Sequence, residues 1–264
     1  MSNETDRRTE GRTPKQGPSW GRAVPRAAAA AAALLLAVWP SARLSAQVGH
    51  DPEHSPFADV TTKQTLTPFV SRFFGNTSHA GVGPQPGLAV GARFGNRLSG
   101  ALELWVTLAY VSSQRNVVDP SLPVATRVTG PVDYRLVSAD LSLAFNLTGA
   151  KTWHGLAPYV GAGFGIVSPT ASTTDPSGFK AESHISFVPT IGTRMRLTRS
   201  TSLTLEVRDN LIHYTWPSQF FADANGNAVP PAVLPPVLDA NTEKSTQTTH
   251  NFTLTAGLSY HFNF

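Results

Sequence analysis

The sequence predicts an all-β chain, an eight-stranded antiparallel up-and-down transmembrane β-barrel. Three observations predict it. Eight segments of about ten residues carry apolar residues at every second position, the period of a strand. The connections between them alternate long and short. A basic leader with one apolar run precedes them all.

The leader comes first. Residues 1–46 hold seven basic residues (Arg7, Arg8, Arg12, Lys15, Arg22, Arg26, Arg43) against three acids (Glu4, Asp6, Glu10). The apolar run "AAAAAAALLLAVW" spans Ala27–Trp39, Pro40 ends it, and small Ala46 offers a cleavage point before Gln47. This is the build of an export signal, and the run is too short to span a bilayer as a helix. The leader also carries the whole net charge of +4, because residues 47–264 hold 14 basic and 14 acidic residues. A neutral remainder has no electrostatic footprint for a phosphate backbone, which argues against nucleic acid as a partner. The chain has no cysteine, so stability must come from packing, hydrogen bonds or lipid.

Residues 47–63 form a short periplasmic segment. Within it, "HDPEH" places His50, Asp51, Glu53 and His54 together, but no structured frame surrounds them. They are expected to be a solvated linker, and neither a metal nor a cofactor is expected.

Residues 64–264 form the barrel. Its strands are expected near 65–74, 86–95, 100–112, 134–147, 156–168, 183–197, 201–213 and 250–264. The short connections are "GNRLSG", "GAKTWHG" and "LTRS". The long ones are "NTSHAGVGPQP", residues 114–133, 169–182 and 214–249. A soluble sandwich has no reason to sort loops by length onto alternate ends, whereas a membrane barrel has short turns on one side and long loops on the other. One face of the strands is apolar, as in Leu104, Val106 and Leu108, or Leu141, Leu143 and Phe145. The other is polar or small, as in Glu103, Asp140, Ser142, Arg194, Glu206 and Arg208, with Gly161, Gly163 and Gly165 on the fifth strand. Trp105 and Val70 fall on the polar face by parity and fit it poorly. A bulge or a lumen-filling ring would account for Trp105.

The chain ends "LSYHFNF", with Leu258, Tyr260, Phe262 and Phe264 alternating. With eight strands, sorted loops and this ending, residues 64–264 resemble the eight-stranded outer-membrane barrels: the OmpA transmembrane domain and the OmpX- and OmpW-like porin-family proteins. The resemblance implies an outer-membrane location with both mature termini in the periplasm. It implies outer-membrane lipid and lipopolysaccharide as surroundings, and the barrel-assembly machinery as a partner that reads Leu258, Tyr260, Phe262 and Phe264. No periplasmic peptidoglycan-binding domain like that of OmpA is expected after the barrel, so the resemblance does not imply tethering to the wall.

An eight-stranded barrel is filled by its own side chains, so its inward charges must pair. A register centred near residue 98 would set Arg93 opposite Glu103, and one centred near 200 would set Arg194 opposite Glu206. Asp140, Arg72 and Arg208 would extend the network, which resembles the charged plug of OmpA-type barrels. Two clusters resemble the His-x-Ser pair of lipid A deacylases: His213, Tyr214 and Thr215, and His184 and Ser186 with Glu182. Thr replaces Ser in the first, and the second lacks a clear orienting carboxylate, so no catalytic residues are expected. The long loop 214–249 is the expected external contact surface. The function expected is that of a structural or small-solute-associated membrane protein, with a lipid A hydrolase or an OmpW-like conduit for small apolar solutes as competitors.

Overall fold

The computed structural model describes residues 55–221, 236–240 and 242–263. The export segment, the "HDPEH" cluster, Phe264 and much of the last long loop lie outside the described residues. Eleven strands follow in chain order: β1 (Phe57–Asp59), β2 (Gln64–Phe74), β3 (Gly87–Arg97), β4 (Leu102–Val118), β5 (Val128–Asn146), β6 (Lys151–Trp153), β7 (Leu156–Pro169), β8 (His184–Phe187), β9 (Thr190–Arg196), β10 (Thr201–Thr215) and β11 (Thr246–Phe262).

The wall of the barrel has eight strands, because β8 and β9 are two halves of one. Leu211 pairs with Phe187 and Arg208 with Thr190, so the register runs unbroken across Val188–Pro189. Pro189 has no N–H to give the ladder, which is why the strand is interrupted there. Pairing proceeds antiparallel from β2 through β3, β4, β5, β7, β8/β9, β10 and β11, and β11 returns to β2 with Phe252 opposite Phe74 and Tyr260 opposite Leu66. Closure leaves no wall strand with an unpaired edge, a condition for any sheet placed in lipid.

The two faces are inverted relative to a soluble protein. Outward residues include Val70, Leu108, Leu141, Phe164, Ile185 and Ile191, all more than half exposed. Inward residues of the wall strands are buried and many are polar: Thr67, Ser71, Thr107, Ser142, Thr204, Thr255 and Ser259. An apolar outer band around a polar interior is the arrangement of a transmembrane barrel.

Val70 is therefore not inward as its parity first suggests. Phe69 and Phe73 are buried on β2 together with Thr67 and Ser71, and this parity sends Val70 and Arg72 to the outer face. The hairpin β4–β5 is also longer than expected. Part of the anticipated 114–133 loop is ladder, with Val118 opposite Val128.

At the end with the long loops, an apolar cap closes the mouth. Ala80 and Val82 from residues 75–86, Phe179 and Ala181 from 170–183, and Trp216, Phe220 and Leu238 from the last loop pack on Phe73, Tyr134, Leu136, Ile212 and Tyr214. Under it Arg115 makes a buried fork onto Asp175, at 2.6 and 2.7 Å. At the other end β1 pairs with β6, Ala58 opposite Thr152, and Val60 N–H donates to Ala150 O at 2.8 Å. β6 lies within the anticipated turn "GAKTWHG" and β1 within the 47–63 segment, and alternation signals neither, since three-residue strands are too short to show a period.

Candidate functional site in the barrel lumen

The strand period alone decides which side chains enter the lumen, and five wall strands send charges there. Arg93 comes from β3, Glu103 from β4, Asp140 from β5, Arg194 from β9, and Glu206 and Arg208 from β10. All six are buried.

The pairs they form run across the lumen rather than between adjacent strands. Arg93 forks onto Glu206 at 2.6 and 2.5 Å. Arg194 forks onto Glu103 at 2.9 and 2.6 Å. Arg208 donates to Asp140 at 2.7 Å. The expected partners, Arg93 with Glu103 and Arg194 with Glu206, are thus exchanged. The reason is register, which a turn's length fixes. The β3–β4 turn closes with Leu98 N–H on Leu102 O, so Arg97 faces Glu103 and Arg93 faces Thr107. In the β9–β10 hairpin Arg194 faces Thr204 and Glu206 faces Gly192. Arg72 belongs to no part of the network. It lies on the outer face near the long-loop end of β2, between Leu254 and Leu88, where a long cationic side chain can reach toward the interface.

Aromatic rings fill the space between the pairs. Trp105 is 1% exposed and is the lumen-filling ring; it packs edge-on against Tyr159 with centroids 5.0 Å apart. The Arg93 guanidinium lies 4.4 Å from the Trp105 ring centroid, and Arg194 lies 5.2 Å from that of Tyr159. Each ring also satisfies a carboxylate: Trp105 Nε1 donates to Glu103 at 3.0 Å and Tyr159 O–H to Glu206 at 2.7 Å. Asn146 adds a donor to Glu103 at 2.9 Å. Sequence reasoning named the charges and set Asn146 on the polar face, outside the charge network, but missed Tyr159. Its inward parity on β7 was the available signal.

Glycines make room for this layer. Gly165 faces Asp140 and Gly163 faces Ser142, and a Cβ at either would run into that side chain. At Gly192 a Cβ would meet the Tyr159 hydroxyl and the Glu206 Cβ. Gly192→Val is therefore expected to push Tyr159 off Glu206 and to destabilise by about 1–3 kcal/mol. Gly100→Ala, where only Ala150 Cβ lies nearby, should be neutral. Urea titration of detergent-refolded protein, followed by tryptophan fluorescence, checks both.

The ion-pair layer has a small cavity on either side. One of about 30 Å³ is lined by Arg208, Phe69, Phe73, Leu136 and Ile212 on the capped side. The other, of about 20 Å³, is lined by Arg194, Arg97 and His261 on the short-turn side. Each has room for a water or two.

Neither histidine cluster assembles a catalytic pair. His213 Nδ1 contacts the Thr248 hydroxyl at 3.2 Å on the exposed face. Ser186 is buried inward, and His184 Nε2 has no hydrogen-bond partner. The His184 ring instead lies 4.7 Å from that of Tyr214. Among the described residues no group of three His, Asp or Glu side chains could hold a metal.

No family model matches the sequence, and no curated protein matches it. Among solved structures the chain is similar to Neisserial surface protein A, at 15% identity and TM-score 0.44, covering 75% of this chain and 97% of that one. It is similar to the outer membrane protein OprG from Pseudomonas aeruginosa, at 11% identity and TM-score 0.44, covering 77% and 97%. It is also similar to the N-terminal barrel domain of Pseudomonas aeruginosa OprF, at 13% identity and TM-score 0.40, covering 76% and 98%. The likeness is one of fold.

Proposed function

We propose that this chain is a structural protein of the outer membrane, with a closed lumen and a contact surface built from its long loops. The observation that carries the reading is the crossed layer of Arg93–Glu206, Arg194–Glu103 and Arg208–Asp140, packed around Trp105 and Tyr159. Two of the pairs are forked and the third is a single short bond, which holds the charges in one geometry, and opening a path between them would strand buried ions. The apolar cap above the layer adds a second closure. In this reading the short turns and both mature termini face the periplasm, and residues 1–46 direct export. Leu258, Tyr260, Phe262 and Phe264 are read by the assembly machinery, and loop 214–249 meets an external ligand. Lipid and lipopolysaccharide surround the outer band. A lipid A hydrolase is the weaker alternative: the His213 ring meets the Thr248 hydroxyl and His184 Nε2 has no partner.

The conduit reading has one observation on its side: at Pro189 the wall ladder lacks a donor, although Asp209 N–H still donates to Pro189 O at 3.0 Å. Reconstitution separates the two readings. The closed-lumen protein is expected to give no steady single-channel conductance in planar bilayers and no uptake of small apolar solutes into liposomes. A stable open level would refute the closed lumen, and solute uptake without conductance would favour a route through the wall.

A further inference from the structure

At the short-turn side of the lumen, arginines outnumber carboxylates. Arg93, Arg97, Arg194 and Arg208 turn inward against Glu103, Asp140 and Glu206. The odd one is Arg97. Its nearest carboxylate oxygen belongs to Glu103 at 3.8 Å, and both oxygens of Glu103 are already engaged by Arg194. Arg97 donates through Nη1 to Val60 O at 2.6 Å, but its Nε has no partner.

A second donor lies at the same place. His261 is only 8% exposed and lines the 20 Å³ cavity with Arg97. Its Nε2 is 2.7 Å from the Ser202 hydroxyl, and its Nδ1 has no partner. With Ser202 donating to Nε2, the ring proton sits on Nδ1, a buried donor without an acceptor. The cavity wall also includes Lys151, Arg194 and Arg196, and no carboxylate. Arg196 is tied to its own turn through Thr198 O and Arg199 O, so its charge remains uncompensated there. Buried donors and surplus positive charge around one small space call for an acceptor that carries negative charge.

We propose that this cavity at the short-turn mouth binds a single monovalent anion of halide size, with chloride as the physiological occupant. A volume of about 20 Å³ suits an ion of about the size of a water molecule, as a halide is. Arg97 Nε and His261 Nδ1 are the direct donors, and Arg196 supplies the field, Lys151 being paired with Asp59 at 3.8 Å. Asn146 Oδ1, an unpartnered acceptor in the same wall, suits a water beside the ion. Val60 and Lys151 belong to the β1–β6 ribbon and its edge, so the ion also holds that ribbon against the mouth.

The test uses the detergent-refolded barrel. Crystals grown with bromide in place of chloride should show an anomalous peak within hydrogen-bonding reach of Arg97 Nε and His261 Nδ1. In solution, at constant ionic strength, replacing methanesulfonate by chloride should raise the urea unfolding midpoint, because the folded state alone holds the ion. In Arg97→Gln the midpoint should no longer respond to chloride. A wild-type protein with no anomalous peak and the same midpoint in both salts would mean the cavity holds water, and the proposal would fall. So would an Arg97→Gln variant that keeps the full chloride response. Should that variant not refold, the wild-type titration and the bromide peak still decide.

Discussion

Replacing Glu206 with Leu is expected to destabilise the barrel by about 3–5 kcal/mol, the cost of leaving a buried arginine without its partner. The arginine is Arg93, 5% exposed, whose two terminal nitrogens both bond Glu206. The change also strips the Tyr159 hydroxyl of its acceptor. Arg93→Met should cost a similar amount, for the opposite charge is then stranded. The double variant Arg93→Met/Glu206→Leu is expected to recover most of the loss, since neither ion remains to be desolvated. Urea unfolding of all four proteins in one detergent completes the cycle. Single-variant losses below about 1 kcal/mol, the size of a solvent-exposed pair, would mean that the lumen is wet and the pairs screened.

The second large effect belongs to the outer face. Leu141 is 55% exposed, opposite Val106 on β4 and Phe164 on β7, in the middle of the apolar band. Leu141→Arg is expected to cost about 2–4 kcal/mol in a bilayer, the penalty for a cation at mid-depth on a barrel's lipid face. On a water-exposed surface the same change would be close to neutral. Folding equilibria in phospholipid vesicles measure the difference, and Thr248→Arg, on an exposed outward position near the long-loop end, serves as the shallow control.

The alternation made the barrel legible because period two survives any loop length. Each expected segment contains the body of a wall strand, and Leu108 and Leu141 turn outward while Glu103 and Glu206 turn inward, as their parity requires. What parity cannot supply is register. Arg93 and Glu103 sit on adjacent strands, yet each finds its partner across the lumen, and that geometry depends on the β3–β4 turn and on closure of β11 onto β2. Arg72 was misassigned for a different reason. β2 carries Phe69, Val70, Phe73 and Phe74, so large apolar residues occupy both faces and its parity is ambiguous from sequence. The cap over the mouth was not visible at all. Phe179, Trp216 and Leu238 lie in irregular loops, where no period marks which apolar residues meet.

The central claim is that the sheet is solvated by lipid on its apolar face and by its own side chains within. The absence of native cysteine permits a direct scan. Single cysteines at residues 139–145 of β5, spin-labelled in vesicles, should alternate. Positions 139, 141, 143 and 145 should relax readily with oxygen, which partitions into lipid, and not with a polar nickel complex. Positions 140, 142 and 144 should respond weakly to both. If instead the even positions respond to the nickel complex while the odd ones are shielded from both reagents, the apolar face is a protein core, and the chain is a soluble sandwich.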